Sequence, residues 1–180
     1  MHDPFCPAPL TAVREAGGQS ALYRSLAEEL EALLRGETDP VANAANAAAA
    51  IYHGLAELNW AGFYFLRGEE LVLGPFQGQP ACVRIPLGKG VCGTAAAERR
   101  SVLVPDVHAF PGHIACDARS RSELVVPLLI EDGPTNAGPT RVRVLGVLDL
   151  DSPLPGRFDA ADQAGCEALA AIVVRHLVPH

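Results

Sequence analysis

Leu124-Val125-Val126-Pro127-Leu128-Leu129-Ile130 and Val142-Arg143-Val144-Leu145-Gly146-Val147-Leu148-Asp149-Leu150 are the two stretches that decide the fold. Each reads as a strong strand, and the residues between them carry the loop-forming pairs Gly133-Pro134 and Gly138-Pro139. Outward from this pair, Trp60 to Leu66 and Leu71 to Leu73 flank Arg67-Gly68-Glu69-Glu70, a hairpin turn. Cys82 to Leu87 alternates as a further strand, and a short helix, Val91 to Arg99, precedes a strand over Ser101 to Val104. Helices close both ends. Leu22, Leu26, Leu30, Leu33 and Leu34 recur at helical spacing from Ser20 to Arg35, and Gly36 stops that helix. Asp39 is the N-cap and Pro40 the first residue of an alanine-rich helix running from Val41 to Leu58. Asp159 caps the last helix, whose Leu169, Ile172, Val173 and His176 make one face. The order predicts an α+β fold: a single domain with a central antiparallel sheet covered by N- and C-terminal helices. The Pro- and Gly-rich residues 1–18 read as a flexible arm and 19–180 as the domain.

A chain of 180 residues fits one domain, and 49% apolar against 19% charged is an ordinary globular balance. The net charge is −7 and the basic residues do not cluster, so there is no nucleic-acid footprint. The apolar-leaning run Val41 to Leu58 contains Asn43, Asn46, His53 and Glu57 and is no membrane span. Met1-His2-Asp3-Pro4 lacks the basic and apolar regions of a signal peptide, which places the expected location in the cytoplasm. Against that background five cysteines (Cys6, Cys82, Cys92, Cys116 and Cys166) stand out. An odd number in a reducing compartment argues against a disulfide framework and leaves metal binding, catalysis or burial.

Three of them fall in one block with Asp106, His108, His113, Asp117 and Glu123. Zinc is one reading, through His108, His113 and Cys116, but the Cys-x-x-Cys knuckles of structural zinc are missing. Gly88-Lys89-Gly90-Val91-Cys92-Gly93 matches the G-x-G-x-x-G pattern, yet the helix after it is too short for a dinucleotide-binding crossover, so the glycines read as a tight turn. Burial as small hydrophobes suits Cys166 and Cys6. Cys116 differs, because Phe110-Pro111-Gly112-His113-Ile114-Ala115-Cys116-Asp117 is loop-like and reads as a lid. The last reading is redox catalysis on a sulfoxide: a thiolate attacks sulfur, an acid protonates the oxygen, and a second thiol resolves the sulfenic acid. Such an acid needs a raised pKa, which carboxylates clustered in a buried cleft provide. Glu123 starts one strong strand; Asp149 and Asp151 end the next and share a face of it. If the strands pair as a hairpin these three meet. Asp151 reads equally well as the cap of the loop before Ser152-Pro153.

The chain resembles the free methionine-R-sulfoxide reductases, which are built on a GAF domain. The resemblance is carried by Asn59-Trp60-Ala61-Gly62-Phe63-Tyr64, Gly74-Pro75-Phe76-Gln77-Gly78, Ala81-Cys82, Gly88 to Ala95, Val104-Pro105-Asp106-Val107-His108, Phe110 to Asp117, Ser120-Arg121-Ser122-Glu123 and Gly146 to Pro153, spanning most of the chain from about Ser20. The resemblance implies that Cys116 is the nucleophile, Cys82 the resolving cysteine and Cys92 a third that takes part in disulfide exchange. It implies that Glu123, Asp149 and Asp151 bind substrate and protonate its oxygen, and that Trp60 and Tyr64 pack on the thioether end. The expected substrate is free methionine sulfoxide, with no bound cofactor and with thioredoxin or a similar dithiol as external reductant. The N-terminal helices either form a homodimer interface, as in many GAF domains, or cover the sheet. Two features depart from the family: a longer loop over Glu131 to Thr140, read as a surface excursion, and the arm with Cys6. The rival is a GAF sensor that binds a small ligand without turnover and uses its cysteines as a redox switch.

Overall fold

The computed structural model describes residues 18–114, 117–133 and 141–178, so the arm with Cys6, the nucleophile candidate Cys116 and most of the long loop lie outside the described residues. Its helices are α1 (Gly18–Leu34), α2 (Pro40–Gly54), α3 (Gly90–Glu98) and α4 (Ala160–Leu177). Its strands are β1 (Trp60–Arg67), β2 (Glu70–Gly78), β3 (Arg84–Pro86), β4 (Val102–Val104), β5 (Ser122–Asp132) and β6 (Arg141–Ser152). They form one six-stranded sheet, ordered β3-β2-β1-β6-β5-β4 and paired antiparallel throughout. This is the α+β arrangement expected.

The two strong strands run further than their apolar cores suggest, because hairpin pairing carries the ladder out to Asp132 and Arg141 at one end and to Ser122 and Ser152 at the other. By contrast, β3 shrinks to three residues, since it meets only the edge of β2. The alanine-rich helix stops at Gly54 rather than Leu58: Leu55 is already extended and Glu57 takes a left-handed conformation. Its start is as expected, with the Asp39 carboxylate accepting from the amides of Val41 and Ala42 and Pro40 opening the helix. Asp159 caps α4 in the same way, and Asp162 reciprocates in a capping box.

The sheet buries both faces. On one, Leu26, Leu30 and Leu34 of α1, Ala44, Ala47 and Ile51 of α2, and Leu169 and Val173 of α4 pack on Phe63, Leu124, Leu128, Leu148 and Leu150. The apolar faces of the N-terminal helices are thus used on this sheet, each fully buried leucine contributing about 1.5–3 kcal/mol. The other face is not bare. Trp60, Tyr64, Val125 and Val147 meet α3 through Val91, Cys92, Ala95 and Ala96, with Val107 of the following loop. The glycine-rich motif forms the tight turn into α3: Gly88 and Gly90 have φ of +75° and +59°, and a Cβ on Gly93 would lie 2.4 Å from the Pro86 carbonyl oxygen. That contact fixes where α3, and therefore Cys92, sits over the sheet.

Candidate active site

Antiparallel pairing of β5 with β6 sets Glu123 opposite Asp151 and Val125 opposite Asp149, so the start of one strand lies beside the end of the other. With side chains alternating along the pleat, Glu123, Asp149 and Asp151 emerge together on the α3 face. Glu123 and Asp149 are only 5% and 6% exposed. Cys92, in the first turn of α3, faces them, its Sγ 3.9 Å from Glu123 Oε1. One oxygen each of Glu123 and Asp149 and the Cys92 sulfur lie within 4.8 Å of one another. Cys92, Glu123, Asp149 and Asp151 share a cavity whose walls also include Ile85, Gly90, Val91, His113, Ile114, Asp117 and Ser120.

Three carboxyl groups converging here, Glu123 and Asp149 buried and Asp151 half-buried, cannot all ionise together, and all three hold their protons unusually tightly. Burial pushes Asp149 up to about 7. Glu123 rises well above the carboxylate range through burial first and then the charges of Asp149 and Asp151. Asp151 rises for the same reasons, burial and then Asp149. The Cys92 thiol is pushed up by burial and by Asp149 and Glu123, so it stays protonated at neutral pH and is a poor attacking group. One Asp149 oxygen, Oδ1, is buried without a hydrogen-bond partner in the protein. An orphaned carboxylate oxygen in a cavity is a group held ready for something that enters it.

The loop after β4 builds the rim. The Asp106 side chain accepts from the His108 amide, Val107 N–H donates to the Arg121 carbonyl, and Gly156 N–H donates to Pro105. His113 Nε2 then reaches within 3.6 Å of Glu123 Oε2, and burial, followed by the nearby His108, lowers its pKa. Just past the undescribed pair 115–116, Asp117 is clamped by Arg119 through Nε at 3.2 Å and Nη2 at 2.8 Å. These bonds hold its carboxyl well below the usual range. Asn59 ties the clamp to the sheet, its Nδ2 donating to Asp117 Oδ2 at 3.1 Å and to Ser120 Oγ at 3.0 Å. His113 and Asp117 are thus both held against the residues that begin the strands.

The structure brings Cys92, Glu123, Asp149 and Asp151 together, and Asp151 faces the cavity rather than capping the loop after it. Trp60 and Tyr64 lie under the same face but not on the cavity wall: both are buried, and their rings stack with centroids 5.9 Å apart. Tyr64 donates its hydroxyl proton to the Cys82 carbonyl at 3.0 Å, and Trp60 Nε1 donates to Gln79, so both hold the backbone around Cys82. Cys82 is half-buried beside the α3 cluster. Cys166 is buried on α4, where it contacts the Tyr23 hydroxyl. Sequence reasoning quoted Asn59 and Ser120 within motifs without giving them a place in the site, and read His113 as a possible metal ligand and part of the lid rather than as a neighbour of Glu123. A polar residue just before a buried strand is the one signal that marked the first two.

The sequence matches the GAF domain family over residues 29–177. It is 53% identical to protein YtsP of Bacillus subtilis over 83% of this chain and 87% of that protein. It is 47% identical to the free methionine-R-sulfoxide reductase of Escherichia coli over 85% of this chain and 87% of that enzyme. Among solved structures, the free methionine-R-sulfoxide reductase of Neisseria meningitidis in complex with its substrate superposes with a TM-score of 0.81 at 44% identity, covering 91% of this chain and 92% of that one. With the cavity, its carboxylates and this likeness taken together, the chain belongs to the free methionine-R-sulfoxide reductase family of GAF-domain proteins.

Proposed function

We propose that this protein is an L-methionine (R)-S-oxide reductase that takes the free amino acid and works through cysteine chemistry, its domain spanning residues 19–180. The observation that carries the reading is the cavity itself. A thiol and three proton-retaining carboxyls surround it, and its wall continues through Asp117, the residue after Cys116. Cys116, as thiolate, attacks the sulfoxide sulfur while the neutral carboxyl of Glu123 or Asp149 gives its proton to the oxygen. Methionine leaves with its sulfur reduced by two electrons, and Cys116 keeps the oxygen as a sulfenic acid. The Cys82 thiol displaces that oxygen as water, forming a disulfide that thioredoxin or another dithiol reduces; Cys92 is a further partner in exchange. No bound cofactor enters the cycle.

Substrate selection follows from charge and size. The substrate's ammonium group donates to carboxyl oxygens of the cluster, its own carboxylate sits against loop amides, and the segment from Asp106 to His113 closes over them, which excludes methionine within a polypeptide. The protonated, buried Cys92 supports Cys116 as the attacking group. Single turnover without reductant tests the cycle. One equivalent of methionine should form with a Cys82–Cys116 disulfide detectable by peptide mass spectrometry, and in Cys82→Ser the same turnover should leave Cys116 as a trappable sulfenic acid. Methionine formed with Cys116 still reduced would overturn it.

A further inference from the structure

We infer that Cys92, Glu123 and Asp149 form a binding site for a borderline-soft divalent cation of the zinc class, and that occupancy holds the protein in an inhibited form. The consequence, inhibition, rests on the reductase reading; the site does not. Three ligand atoms, one sulfur and two carboxylate oxygens, lie within 4.8 Å of one another on rigid elements: the first turn of α3 and the paired strands β5 and β6. Zinc bonds of about 2.3 Å to sulfur and 2.0–2.2 Å to oxygen at a tetrahedral angle set a sulfur–oxygen edge of about 3.5 Å. The Cys92 Sγ to Glu123 Oε1 distance, 3.9 Å, needs only a rotamer-scale adjustment to reach it. Asp149 supplies the second, independent sign. It is 6% exposed, lines the cavity, and its Oδ1 has no hydrogen-bond partner.

The charges balance in the same direction. Two carboxylates and a thiolate carry three negative charges with no Lys or Arg among the described residues of the cavity wall, and a divalent cation offsets most of that. A thiolate paired with carboxylates favours zinc over magnesium or calcium, which take oxygen ligands. Binding displaces the protons of the three groups, and water completes the shell. Because Glu123 and Asp149 are also the proposed proton donors, metal and sulfoxide exclude one another.

Cobalt(II) is the probe, added anaerobically to the fully reduced chain with neither substrate nor thiol present. One equivalent should give a saturable thiolate-to-cobalt charge-transfer band that zinc displaces. The band should vanish in Cys92→Ser and persist in Cys82→Ser. Glu123→Gln should weaken cobalt binding by at least the about 10–100-fold that even outer-shell changes cost, which keeps the test alive if the cysteine variant does not fold. Absence of the band, its survival in Cys92→Ser, its dependence on Cys116 instead, or unchanged affinity in Glu123→Gln would each overturn the site. In activity assays run with a phosphine reductant, zinc should inhibit competitively with methionine sulfoxide and a chelator should restore the rate. A chain that shows the band but reduces no sulfoxide sinks the reductase reading alone. One that reduces sulfoxide without the band sinks this inference alone.

Discussion

Asp149 keeps its proton up to about neutral pH because burial makes its anion expensive, and that one property links stability to chemistry. Its native pKa of about 7 lies above the ordinary carboxylate value, so between the two the folded chain holds a proton that the unfolded chain has released. The stability that Asp149 contributes is then fully present below about 4 and is lost as pH rises through about 7. Asp149→Asn removes this penalty, and its unfolding free energy in urea should gain on the parent as pH rises from 5 to 8, by about 1–3 kcal/mol at the upper end. A constant gap across that range would contradict the assignment. The same proton serves catalysis. Glu123→Gln should cut kcat by about 10²–10⁴-fold, and kcat/KM of the parent should decline on the alkaline side as the carboxyls lose their protons. The convergence of Glu123, Asp149 and Asp151 was legible in the sequence, because alternation on two apolar strands puts acids on one face. The unpartnered Asp149 oxygen and the reach of His113 to Glu123 were not, since both depend on side-chain placement across elements far apart in the chain.

Elements carry the site through close approaches that only glycine permits. The 2.4 Å gap between a Cβ on Gly93 and the Pro86 carbonyl means that Gly93→Ala must lift α3 from β3 and move Cys92 with it. Stability should drop by about 1–3 kcal/mol, and the proposed cobalt band should weaken along with the activity. Gly165→Ala is the control on the opposite face. Its Cβ would meet the Tyr23 ring at 2.2 Å, so it should destabilise by a similar amount while kcat stays close to that of the parent, as thermal melts and steady-state rates would show. Helix starts were readable because Asp39-Pro40 and Asp159 carry their own capping chemistry. Strand ends were not, because the length of β2 and the brevity of β3 follow from which neighbours they find in the sheet. The end of α2, read at Leu58, falls instead at Gly54, where a Cβ would lie 2.9 Å from Leu26 Cδ1, so this residue serves α1–α2 packing as well as ending α2.

At the scale of the molecule, the sheet separates a structural face from a chemical one. Tyr23 donates to Asp162 at 2.7 Å, Arg157 pairs with Asp162 at 3.0 Å, and Arg175 and His176 meet Glu31, which together lock α1 along α4 far from the cavity. Tyr23→Phe should therefore cost about 1–2 kcal/mol in denaturant unfolding by leaving Asp162 short of a donor, with KM for the sulfoxide unchanged. The division also explains which parts of the function the sequence could carry. An acid cluster together with a cysteine in a loop-like stretch of sequence points to thiol chemistry on a polar sulfur, whereas the identity of the substrate came from family resemblance. The most direct test gives the reduced protein separate R and S epimers of free methionine sulfoxide with dithiothreitol and measures methionine beside a Cys116→Ser control. The account predicts methionine from the R epimer alone and none from the control. No methionine from either epimer, in folded and reduced protein, would contradict it and leave a ligand-binding GAF domain.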